Sequence, residues 1–296
     1  MMTYLTTFSF HRVLAGRSRN AFCIVRPPGH HAGVNGLLDG GESCGFCIFN
    51  NVAAGAMHAL SERHQVRCER VAIVDIDVHH GNGTEEIVRK AHDPGRLFFF
   101  SVHLYDNPNE GKNYKKHPKE VSWSFYPGTG DKDDMANNVI NVPIAPLWRE
   151  KEVLAATSGN GSVAEKSANT HNTRNRARRE AAKVETKKDP KALEADCVTS
   201  DSSNQSSRKS SPAKPLSADV PVHYLLGTGE RAYRRAIRTR LLPALRAFNP
   251  DLILISAGFD ACRGDVGNAK HMAGGKERPG IDLDPEDYAW TTRKVC

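Results

Sequence analysis

The sequence predicts a three-layer α/β/α fold with a mostly parallel central sheet, and three observations lead there. Short runs rich in β-branched residues alternate with stretches of helical periodicity, as crossover connections between parallel strands require. The runs are apolar at nearly every position, the mark of strands covered on both faces. Polar residues gather at the carboxyl ends of two runs, where open parallel sheets build their sites.

Taken in order, Ala21 to Val25 reads as a first strand, broken by Pro27 and Pro28. Gly29 then allows a sharp turn that presents the adjacent imidazoles of His30 and His31. A helix is expected from Asn51 to about Arg63, with Val52, Met57 and Leu60 on its buried side. Val71 to Val78 is the clearest strand, with Val71, Ile73, Ile76 and Val78 supplying its β-branched character. A second helix opens after Gly83-Thr84, where Glu85 and Glu86 suit the positive end of the dipole. Leu97 to Val102, Val139 to Val142 and Leu252 to Ser256 are further strands. Between the last two, Tyr233, Ile237, Leu241, Leu245 and Phe248 make an apolar stripe on a helix from Gly229 to Phe248, which Pro243 should kink.

Residues 155–218 break this pattern. They contain no aromatic residue, and of Leu, Ile, Val, Met and Phe only Val163, Val184, Leu193, Val198 and Leu216. So little apolar surface does not offset the entropy of ordering the segment, which predicts a basic, low-complexity, disordered insertion over 151–219 inside a domain made of 1–150 and 220–296. The segment holds 12 Lys and Arg against 7 Asp and Glu, a net +5 of the chain's +7. The pI of about 9.0 therefore describes the insertion, and the remainder gives no reason to expect sequence-specific nucleic-acid binding. The cluster Arg174-Asn-Arg-Ala-Arg-Arg179 reads as a nuclear-import signal or a solvated charged stretch. No apolar run reaches membrane-spanning length. Seven cysteines, an odd number with Cys44-Gly-Phe-Cys47 as the one close pairing, point to a reducing compartment, nuclear or cytoplasmic.

Asp75-Ile-Asp-Val-His79 carries the chemistry. Asp75, Asp77 and His79 share one strand parity and project to the same side, where two carboxylates and an imidazole require a cation between them. Asp77 and His79 supply two metal ligands. Asp260, ending the run Leu252-Ile-Leu-Ile-Ser-Ala-Gly-Phe-Asp260, is the best source of a third, leaving one position open as a catalytic zinc does. Two carboxylates acidify bound water less than three histidines do, so a separate base is needed, and His30 and His31 can supply it. Each imidazole needs a partner to fix its tautomer; Asp75 has the parity to hold one, and Asn82 the other.

These segments resemble the zinc-dependent histone deacetylases, class II type, of the arginase/deacetylase superfamily. The resemblance rests on Arg26-Pro-Pro-Gly-His-His-Ala32, Gly45-Phe-Cys-Ile-Phe-Asn-Asn51, Val74-Asp-Ile-Asp-Val-His-His-Gly-Asn-Gly83, Ser101-Val-His103, Tyr126-Pro-Gly-Thr-Gly130 and Ser256-Ala-Gly-Phe-Asp260. Asn82, where class I members carry Asp, is the class II mark. The resemblance implies one catalytic Zn2+ on Asp77, His79 and Asp260, with His31 as general base and acid and His30 as its electrostatic neighbour held by Asp75. It places Gly45 beside the acyl-lysine stem and Phe46 and Tyr126 as aromatic tunnel walls, Tyr126 standing where the family usually has Phe. It also implies a structural K+ site on Asp75, Asp77, His79, Ser101 and Val102. The implied activity is hydrolysis of acetyl-lysine in histones or other proteins, with co-repressor proteins as further partners; the same superfamily includes acetylpolyamine amidohydrolases.

Two features depart from the family pattern. Its members carry a C-terminal E-G-G-Y block whose Tyr binds the oxyanion, and a helical region ahead of the R-P-P-G-H-H segment. Here the sequence reaches Cys296 without the first and has about twenty residues in place of the second, so an incomplete catalytic domain is expected, truncated at both ends. Loss of one oxyanion donor costs on the order of 100- to 1,000-fold in rate. A non-catalytic zinc-binding scaffold is the alternative that follows.

Overall fold

The structure, a computed structural model, describes residues 9–37, 43–61, 68–106, 125–158, 220–271 and 277–296. Its centre is a four-stranded parallel sheet of β1 (Val71–Asp75), β2 (Leu97–Leu104), β3 (Val139–Ile144) and β4 (Leu252–Ser256), in the order β3-β2-β1-β4. Asp75 pairs in register with Ser101 on one side and Ser256 on the other. Asp75 and Ser256 therefore end β1 and β4 level with each other, with Asp75 between Ser256 and Ser101, while β2 runs on to Leu104.

Alternation along these strands fills two separate cores. Ala72, Val74, Phe98, Phe100 and Val102 face one layer with Tyr233, Ile237, Leu241 and Leu245. Val71, Ile73, Leu97 and Phe99 face the other with Ala56, Ala59, Leu60 and Val88. Helices thus cover both faces of the sheet, which explains why its strands are apolar throughout. One layer is formed by α1 (Asn51–Leu60) and α2 (Asn82–Arg89). Asn50 caps α1 by accepting from the Ala53 backbone at 3.0 Å. After β3 comes α3 (Glu150–Ser158). The other layer holds α4 (Gly229–Ala236), α5 (Leu242–Phe248) and α6 (Pro285–Val295), the last opened by a capping box between Asp284 and Asp287. A small antiparallel pair, β5 (Ala269–His271) and β6 (Glu277–Pro279), lies between β4 and α6 in sequence and has no counterpart in the sequence reading.

Three expectations are corrected and one is refined. Ala21 to Val25 belongs to no strand among the described residues, and Phe22 and Ile24 are exposed; β-propensity does not make a strand without a neighbouring backbone to complete the ladder. The strand expected to reach Val78 ends at Asp75. There the Asp75 and Asp77 carboxylates accept from the backbone N–H groups of Asp77 and His79, at 3.2 and 2.8 Å, and turn the chain. The helix over 229–248 is irregular ahead of Pro243. A π turn at Ile237–Leu241 runs without a break into α5, in which Pro243 is the second residue. The insertion was expected from 151, yet 151–158 belong to α3, with Val153 buried and Thr157 bonding back to the Val153 carbonyl. The rest of the insertion, 159–219, lies outside the described residues.

Candidate active site

The turn after β1 and the loop after β4 bring Asp77, His79 and Asp260 together, with one donor atom from each lying within 4.8 Å of the others. His79 Nδ1 is 3.1 Å from Asp77 Oδ1 and 2.9 Å from Asp260 Oδ2. Val78 N–H donates to Asp260 Oδ1 at 3.0 Å, tying the β4 loop to the β1 turn. Glycine is required at 258, because a methyl there would overlap the Asp77 carboxylate. Burial lowers the pKa of His79, but hydrogen bonds to Asp260 and Asp77 outweigh it and raise it to about 9. Burial raises the pKa of Asp77, yet His30 and His79 bring it below the usual carboxylate range, while Asp260 is pushed up by burial. Two carboxylates that hold the His79 imidazole in its protonated form make a site that favours positive charge, and three convergent O, N and O donors suit a divalent metal.

The two histidines of the Arg26 to Ala32 segment are buried beside this cluster. His30 Nδ1 lies 2.9 Å from Asp75 Oδ2, and its Nε2 lies 3.6 Å from Asp77 Oδ2. Burial works against its charge, but Asp75 and Asp77 prevail and raise its pKa to about 9. His31 Nδ1 lies 2.8 Å from Asn82 Oδ1. Burial, then the neighbouring His30, lowers its pKa to about 3. One imidazole is held charged and the other neutral, although their rings are only 3.9 Å apart. Because an amide oxygen only accepts, the His31 proton sits on Nδ1 and the lone pair on Nε2.

Walls rise on both sides of His31. On one, Cys44 to Cys47 forms a turn closed by the Cys47 N–H on the Cys44 carbonyl at 2.8 Å, with Gly45 at φ 49° and Phe46 at φ 65°. The His31 ring occupies the space a side chain at 45 would need. Phe46, in a conformation that disfavours an aromatic residue, stands 90% exposed. On the other side the Tyr126 ring meets His31 edge-on at 4.9 Å, and Phe125 stacks on His79 at 4.9 Å with the planes 9° apart.

Sequence reasoning missed Phe125, although it adjoins Tyr126, and it missed the network beneath this wall. His80 Nδ1 lies 2.8 Å from Thr129 Oγ1, while its Nε2 is 2.7 Å from Glu85 Oε2 and 3.1 Å from Asn141 Oδ1. His103 Nε2 donates to the Gly130 carbonyl at 3.0 Å, with Nδ1 2.9 Å from Ser101 Oγ. Glu85, read as a helix-dipole residue, is held below its ordinary pKa by these partners in spite of burial. The adjacent His-His pair was the available signal. Of the residues expected at a K+ site, Ser101 and Val102 are buried on β2 beside the β1 end.

The histone deacetylase domain family matches residues 5–168 and 198–296. The chain belongs to this family. Type-2 histone deacetylase 1 of Dictyostelium discoideum is 41% identical over 125 residues, 42% of this chain and 7% of that protein. Type-2 histone deacetylase 2 of the same organism is 40% identical over 277 residues, 93% of this chain and 10% of that protein. Among solved structures, the HDA15 HD domain superposes with a TM-score of 0.54 at 26% identity, covering 99% of this chain and 53% of that one. The chain therefore spans about half of this histone deacetylase domain structure and a tenth or less of these two relatives. The three-layer, mostly parallel architecture expected from the sequence is the histone deacetylase fold. No helix among the described residues is long and apolar enough to cross a membrane.

Proposed function

We propose that this histone deacetylase family chain is a zinc-dependent protein lysine deacetylase, hydrolysing acetyl-lysine in histones or other proteins. The observation that carries this reading is the pairing of a convergent Asp77, His79 and Asp260 donor set with a neutral, Asn82-oriented His31 beside it. Asp77, His79 and Asp260 would hold the zinc ion. Zinc bound there supplies a Lewis acid that polarises the amide carbonyl and acidifies water.

The chain's own residues supply the rest. His31 Nε2 takes the proton from the attacking water and returns it to the departing lysine amine, a role that needs the neutral imidazole. His30, charged between Asp75 and Asp77, keeps His31 from protonating prematurely and favours the build-up of negative charge on the reacting carbonyl oxygen. Gly45, Phe46 and Tyr126 flank the acyl-lysine stem, and Phe125 covers His79. A structural K+ on Asp75, Asp77, His79, Ser101 and Val102 would brace the ends of β1 and β2, a role supported by the in-register pairing of Asp75 with Ser101. The protein acts in the nucleus or cytoplasm on acetylated protein substrates, with co-repressor proteins as partners.

Acetate release from an acetyl-lysine peptide by the zinc-loaded 296-residue chain tests the proposal. Release is expected, and His31→Ala should abolish it while leaving bound zinc in place. Release at the His31→Ala level by the unmodified chain, or faster turnover of acetylated polyamines than of peptide, would overturn it.

A further inference from the structure

The two walls beside His31 are tied together. Tyr126 Oη donates to the Ser43 carbonyl at 3.0 Å, linking the loop that carries Tyr126 to the loop that carries Gly45 and Phe46. This is an exposed bond at the rim, above a floor formed by His31 and His79; the Tyr126 ring lies 4.9 Å from the first and 6.1 Å from the second. The base of the Tyr126 loop is fixed by buried groups. His80 holds Thr129, His103 holds Gly130, and Phe125 N–H donates to the Asp106 carbonyl at 3.2 Å. A methyl on Gly130 would come within 2.7 Å of both the His80 and His103 rings, so the loop cannot settle deeper. With one wall anchored below and pressed against His31, the Tyr126–Ser43 bond is, among the described residues, the hydrogen bond that must break for the walls to separate at the rim.

We infer that Tyr126 is a specificity-determining residue, its hydroxyl clasping the two walls so that the cleft admits a slender, unbranched acyl-amine stem and penalises a wider one. The inference rests on the deacetylase reading and deepens it. A linear stem enters with the clasp intact, whereas a branched stem must break it. The penalty is one neutral hydrogen bond, about fivefold in relative affinity. Phenylalanine at this position keeps the ring against His31 and removes the donor.

The test compares the zinc-loaded chain with its Tyr126→Phe variant, using two hydroxamates as probes, one with a linear alkyl stem and one with a cyclohexyl group in the stem. Calorimetry gives both dissociation constants for each protein, and metal analysis confirms equal zinc content. The ratio of the two constants is expected to shift about fivefold toward the branched probe in Tyr126→Phe. An unchanged ratio, with zinc and the linear probe still bound by both proteins, would overturn the clasp alone. Failure of the unmodified chain to bind zinc or the linear probe would overturn the deacetylase reading and the clasp with it.

Discussion

His31 Nδ1 lies 2.8 Å from Asn82 Oδ1, so the imidazole beside the metal-ligand cluster is oriented by a neutral amide and not by a carboxylate. An amide fixes the tautomer without stabilising the imidazolium, in keeping with a His31 pKa lowered to about 3 by burial and by His30. Asn82→Asp should raise the His31 pKa by about one to two units, because an adjacent carboxylate favours the charged ring. The working form of a base is the unprotonated one, so the acid limb of the pH profile for kcat should move to higher pH. Profiles of both proteins between pH 4 and 9 check this: the parent should stay level at the acid end while Asn82→Asp falls off there, and a variant profile as level as the parent's would remove His31 as the titrating base.

Asp77 and Asp260 reach the cluster from different strands, yet they face the same imidazole nitrogen. Asp77→Asn or Asp260→Asn replaces an anionic donor with an amide that ligates weakly, and each should reduce bound zinc from one equivalent to a small fraction. Metal analysis after dialysis against a weak chelator gives the stoichiometry. Full zinc retention in either variant would sink the ligand assignment.

The cluster was legible in the sequence because its logic is local. Asp77 and His79 sit two residues apart after an apolar run, Asp260 ends another, and Asp75 and Asn82 flank the first. The partners of His30 and His31 follow from those same placements. What the sequence concealed depends on the packing of segments distant along the chain. Phe125 finds His79 only once the chain after β2 returns to the sheet end, and His80 meets Thr129 and Asn141 across 49 and 61 residues. Ala21 to Val25 has the composition of a strand, but composition carries no information about whether a neighbouring edge is available. The π turn ahead of Pro243 is a further case: proline announces a disturbance in the helix, while the packing of Ile237 and Leu241 decides where it falls.

Away from the cluster, His223 gives the fold a pH dependence of its own. It is buried in the short turn Val222–Tyr224, its ring 5.2 Å from Tyr105 and 4.7 Å from Tyr224. Burial is the main cause that lowers its pKa to about 4; Asp106 opposes the shift and Arg149 reinforces it. The folded pKa lies below the unfolded value of 6.5, so between those two values the unfolded chain takes up a proton that the folded chain refuses. The contribution of this residue is therefore fully present above pH 6.5 and lost as pH falls toward 4, a difference of roughly 3 kcal/mol at most. Replacing His223 with Gln removes the titration. Urea unfolding at pH 7 and pH 4.5 should show the parent losing more stability than His223→Gln over that interval, whatever the other carboxylates contribute to both. Equal losses in the two proteins would mean that His223 titrates normally and is not desolvated in solution.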